Sequence, residues 1–139
     1  MARVTAPDPQ ETGRRTADEL VRRLSADDAA GVDELLAGIP EIRDLVFVGA
    51  GLTAIARAHG RRLPPAQRAQ ASTRQLNLGQ LRDRHRTDPE GLRTWLRRSA
   101  EEVLFLCALR EAAARVAADG QPSGSTHAAR QAGGSRGCA

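Results

Sequence analysis

The chain has 139 residues, enough for one domain with a modest core, and its only aromatic residues are Phe47, Trp95 and Phe105. The core therefore falls to Leu, Val, Ile and Ala, and since no sustained alternating run of β-branched or aromatic residues is present, composition excludes a sheet protein and favours close-packed helices. All 21 basic side chains are Arg, a bias that a GC-rich genome produces together with abundant Ala and Gly, and the net charge of +4 conceals an asymmetry: residues 1–60 sum to −3, residues 61–98 to +7, and residues 99–139 to zero.

In chain order, residues 1–15 contain Pro7, Pro9 and Gly13 and read as a loose, disordered arm. Thr16 opens a first helix, with Glu19 completing a capping box and Leu20, Val21 and Leu24 forming its apolar stripe. Ser25 reads as the N-cap of a second helix, with Asp27 and Asp28 complementing its N-terminal dipole and Val32, Leu35, Leu36 and Ile39 facing inward. Gly38 and Pro40 stop it. Pro40 and Glu41 then start a third helix, with Leu45, Val48, Leu52 and Ile55 among its apolar set and His59-Gly60 at its end. Gly49-Ala50-Gly51 costs helix propensity there, and its use is the close approach of another helix, because a phosphate-cradling loop would need a preceding strand.

Arg61 to Pro65 read as a linker, and residues 66–76 as a helix too polar to bury much. Asn77 to Gly79 reads as a break before a resumed segment, Gln80 to Arg86. Thr87-Asp88-Pro89-Glu90 is a helix start, with Asp88 as N-cap, and the helix it opens runs from Pro89 to Asp119 with Gly120 as its stop. Val103–Leu109 is apolar on nearly every side and marks either a central core helix or an interface between copies. Residues 120–139 have the composition of a disordered tail.

No catalytic, cofactor or metal constellation emerges. His59, His85 and His127 are scattered, and the adjacent pairs Asp27-Asp28 and Glu101-Glu102 point apart on a helix. No Walker loop, dinucleotide fingerprint or nucleophile elbow is present. Cys107 reads as a buried small hydrophobe, Cys138 lies in the tail, and the two do not have the spacing of zinc ligands. The first residues carry no apolar signal-like stretch and no run approaches a membrane span, which makes the expected location cytoplasmic.

The basic block supplies the candidate binding residues Arg61, Arg62, Arg74, Arg82, Arg86, Arg93 and Arg97. Leu78 to Arg98 can be drawn as a helix-turn-helix with its turn at 86–88, in which the i,i+4 rows Arg82/Arg86 and Arg93/Arg97 face phosphates. Arg82, His85 and Thr87 sit where that motif wants small or apolar residues, and the second helix is longer than it needs.

Leu24-Ser25-Ala26-Asp27-Asp28, Leu35-Leu36-Ala37, Pro40-Glu41-Ile42 and Leu45, followed by Leu92-x-x-Trp95-Leu96 and Phe105-x-x-Ala108-Leu109-Arg110, resemble in order helical segments in the C-terminal half of ISL3-type insertion-sequence transposases. The basic block sits where the family's connection is shorter, and the family's acidic catalytic residues have no counterpart. The resemblance thus implies a non-catalytic fragment or derivative.

The expectation is an all-α protein: an irregular bundle of four or five helices over residues 16–119, centred on the helix from Pro89 to Asp119, between a disordered arm (1–15) and a disordered tail (120–139). Its expected role is non-enzymatic and cofactor-free. It would present the arginine-rich surface to an acidic protein or, alternatively, to nucleic acid, with self-association through the last helix as a further option.

Overall fold

A computed structural model describes residues 7–120; the remainder of the expected arm and tail, Cys138 included, lies outside the described residues. The described residues form five helices and no strands: α1 (Pro9–Ser25), α2 (Ala29–Ala37), α3 (Ile42–Gly60), α4 (Pro65–Arg84) and α5 (Pro89–Asp119). The fold is the all-α bundle that aliphatic periodicity predicts.

Helix α1 begins at Pro9, so residues 9–15 form its first turns rather than a loose arm, and Thr16 is interior instead of capping. Asp8 is the N-cap, its carboxylate accepting from the Gln10 amide at 3.1 Å, with Pro9 in the first turn where a missing donor does no harm. The cap of α2 is Asp28 and not Ser25: Ser25 ends α1, Asp27 takes a positive φ of 59° that reverses the chain, and Asp28 accepts from the Gly31 amide at 2.9 Å. Helix α4 runs unbroken through Asn77-Leu78-Gly79, where a break was expected. Gly and Asn lower helix propensity by at most about 1 kcal/mol each, too little to interrupt a helix anchored at both ends.

The contacts ascend together along three of the helices. Gly13 lies against Phe47 and Ala17 against Gly51, while Trp95 fills the space at Gly49 and Arg110 lies close enough to His59 to shift its titration. Helices α1, α3 and α5 therefore run in the same direction, with α3 between the other two. The reverse pairing of Arg74 with Glu102 and His85 with Gly91, and of Ile39 with Arg93 and Asp33 with Arg97, makes α4 and α2 the return strokes.

The Gly-Ala-Gly patch performs the close approach read from it. A Cβ on Gly49 would fall inside the Trp95 indole, and one on Gly51 would stand 3.0 Å from the Ala17 methyl. Gly13 makes the reciprocal approach from α1, since a Cβ there would lie 2.7 Å from the Phe47 carbonyl carbon. Leu20, Leu36, Leu45, Leu52, Leu92, Leu96, Val103 and Leu106 fill the core around these contacts, and α5 supplies the largest buried set, Cys107 and Trp95 included. The Val103–Leu109 run is not buried all round: Phe105 and Ala108 are exposed. No described helix is long and apolar enough to cross a membrane.

Candidate functional site

Helix α4 is where the fold departs from a filled bundle. Its one fully buried residue is Ala71. It is held near its N-terminus by the buried Leu63 in the preceding turn, in its middle by Arg74, and toward its C-terminus by the half-buried Leu78 and Leu81 packed on the core. Arg74 donates from Nε at 2.9 Å to both carboxylate oxygens of Glu102 and from Nη2 at 2.7 Å to one of them, while its guanidinium lies 4.2 Å from the centre of the Phe105 ring. Glu102 is only 5% exposed.

Between α4 and the α3–α5 pair lies a cleft of about 750 Å³. It exists because the residues reaching it from each side are small: Thr53, Ala56 and Gly60 on α3, Ala71 and Ser72 on α4, and Ser99 on α5. The α4 stripe over it reads Ala71, Gln75, Leu78, Arg82, with polar groups where a core-facing helix ordinarily carries Leu. Trp95 and Leu106 form part of the apolar floor; Arg57, Arg61, Arg68 and Arg82 stand around it, and Asp83 is its sole acid. Arg82 donates to Asp83 at 3.2 Å and lies 6.0 Å from the Trp95 ring centre.

The sequence-derived arginines divide into two groups. Arg74 is bound to Glu102. Arg93 donates to the carbonyls of Leu36 at 3.1 Å and Ile39 at 3.0 Å, closing the C-terminal end of α2, and Arg97 pairs with Asp33 of the same helix. The Arg93/Arg97 row drawn as phosphate-facing thus points at α2, and a helix-turn-helix loses its reading face. Arg61, Arg62 and Arg86 are exposed and form no ion pair or side-chain hydrogen bond among the described residues, and Arg82 is engaged by Asp83. Sequence reasoning passed over four arginines in the same condition as the first three: Arg57, Arg68, Arg84 and Arg98. Positions 57, 61 and 68 share the cleft, while Arg84 and Arg98 share a second, smaller groove with Leu81 and Phe105 on the other side of α4. For Arg57 and Arg68 the signal available was the absence of an acid at i±3 or i±4; Arg84 and Arg98 have acids at such positions and carry no such signal.

No family model, curated protein or solved structure matches this chain. The resemblance to transposase segments rests on its own residues. Among the described residues, no group of three or more His, Cys, Asp or Glu is arranged to hold a metal ion. His59 is held below the ordinary imidazole range, first by burial and then by the cations of Arg110 and Arg62, with Glu111 opposing them.

Proposed function

We propose that the protein is a non-enzymatic interaction protein that offers the unpaired arginines flanking α4 to an acidic protein partner. The observation carrying this reading is the division just described. Within residues 57–98, Arg74, Arg93 and Arg97 are consumed by the fold, whereas Arg57, Arg61, Arg62 and Arg68 near one end of α4 and Arg84, Arg86 and Arg98 near the other are exposed and unpaired among the described residues. Arg68 and Arg84 lie on α4, which is 20 residues or about 30 Å long, and the others lie on α3, on α5 and in the turns flanking α4. Guanidinium forks held by a packed helical scaffold suit carboxylates.

Nucleic acid is the second reading, favoured by the same unpaired charge and weakened by the engagement of Arg93 and Arg97 with α2. The two differ in their salt response and in their nuclease sensitivity. Native-lysate pull-downs with and without nuclease, run with the full chain and with a variant carrying Gln at 57, 61, 62, 68, 84, 86 and 98, decide between them. The expected result is a nuclease-resistant protein partner, retained by the native chain, lost by the variant and released by added salt. Retention that vanishes with nuclease, together with duplex DNA binding whose log affinity falls linearly with log salt, replaces this reading with the second. Equal retention by both chains overturns both.

A further inference from the structure

We infer that the cleft between α3, α4 and α5 is a binding site for a small amphipathic anion, a carboxylate or phosphate headgroup on an apolar body. The inference shares Arg57, Arg61 and Arg68 with the partner reading but stands on a separate observation, the cleft those arginines border. Its volume of about 750 Å³ falls within the range of small-molecule sites. The lining is graded. Leu76 and Leu78 offer apolar surface above a closely packed floor of Ala56, Trp95 and Leu106, and Arg57, Arg61 and Arg68 are uncommitted cations around it. A ligand lying with its apolar body on the floor keeps its headgroup among those forks, where paired N–H donors meet carboxylate or phosphate oxygens.

A second observation points the same way. Ser99 is only 6% exposed, lines the cleft and forms no side-chain hydrogen bond among the described residues. Its Oγ still reaches solvent through the cleft, so it is open to donate to or accept from a ligand lying there. Gln75 reaches the same space from α4 and likewise forms no side-chain hydrogen bond among the described residues. Small side chains on three helices, the Ser99 hydroxyl and a glutamine where leucine would close the bundle leave this space open, and three unpaired arginines outweigh its one acid, Asp83, which is already paired with Arg82.

Trp95 is the only Trp, there is no Tyr, and its side chain lines the cleft, so intrinsic fluorescence of the full chain reports occupancy directly. Decanoate and decyl phosphate, below micelle-forming concentration, are the probes; decylammonium, decanol and acetate are the controls. The expected result is a saturable Trp95 change with both anionic probes, weaker binding of decanol and decylammonium, and none of acetate. The variant R57Q/R61Q/R68Q alters exposed residues without partners and keeps its fold by circular dichroism, yet loses about tenfold in affinity for decanoate. Gln75→Phe fills the cleft from the α4 side and abolishes the response while the variant's melting stays cooperative. Absence of a saturable change, equal binding of decylammonium and decanoate, or native affinity in the triple arginine variant overturns the inference. A pull-down that yields no protein partner leaves this titration unaffected, so the two proposals fail separately.

Discussion

Arg74 and Glu102 stand 28 residues apart in sequence and form a forked ion pair in which the carboxylate is 5% exposed and the guanidinium side chain 48%. The asymmetry decides what each substitution does. Arg74→Ala leaves a buried charge without its partner and costs about 2 kcal/mol, whereas Glu102→Gln keeps an acceptor in place, frees an arginine that water can solvate, and costs about 1 kcal/mol. Replacing both, as Arg74→Leu with Glu102→Leu, recovers most of the loss. Urea unfolding followed by circular dichroism measures all three, and equal losses for the two single variants would show that burial of Glu102 is not what matters.

Gly49 faces the indole of Trp95 across the α3–α5 contact, with no room for a methyl group. Gly49→Ala gains helix propensity of up to about 1 kcal/mol but forces the ring or the helix to move, an overpacking cost of about 1–3 kcal/mol, so the variant is expected to be less stable. Its Trp95 emission shifts as the ring is displaced. A more stable Gly49→Ala protein with unchanged emission would contradict the close contact.

Local chemistry made parts of this fold legible in the sequence and left others hidden. Asp88-Pro89 and Gly120 bracket α5 correctly, and Gly49-Ala50-Gly51 announces a tight helix contact. Asp8-Pro9 is the same start signal as Asp88-Pro89, but Gly13 four residues on reads as loop until Phe47 is seen to occupy the space a side chain would take. Asn77 and Gly79 weaken α4 locally, and the anchoring by Leu63, Ala71, Arg74 and Leu81 that overrides them comes from contacts outside that window. The candidate site was legible only as a block of charge. Which arginines are committed depends on partners 28 to 64 residues away, beyond the reach of i,i+4 reasoning. The cleft itself arises from small residues on three separate helices, and no one segment carries that pattern.

Arg93 and Arg61 belong to the same basic block but do different work. Arg93, its side chain 20% exposed, satisfies two carbonyls at the end of α2, so Arg93→Ala costs about 1–2 kcal/mol through the stranded acceptors. Arg61 touches no acid or carbonyl with its side chain, and Arg61→Ala stays within about 0.5 kcal/mol of the native chain. Arg86→Ala behaves like Arg61→Ala. Paired denaturation curves check the contrast, and a neutral Arg93→Ala would return that residue to the pool available for a partner.

Acid is expected to destabilise the fold through two groups. Glu19 receives hydrogen bonds from Arg22 and Arg23, which lower its carboxyl from 4.5 to about 2. Because the folded value lies below the unfolded one, the stability it contributes is fully present above pH 4.5 and is lost as pH falls toward about 2. His59 is lowered from 6.5, chiefly by burial and then by Arg110 and Arg62. Here too the unfolded chain takes up the proton first on acidification, so stability begins to fall once pH drops below about 6.5 and stops falling below the depressed folded value. Imidazole NMR titration should find His59 protonating at lower pH than 6.5, and Arg62→Gln should move it part of the way back while burial holds the remainder. His59→Asn removes the His59 contribution and leaves the Glu19 contribution intact, and Glu19→Gln does the reverse. A His59 resonance that titrates at the ordinary value would place its imidazole in water and contradict its burial.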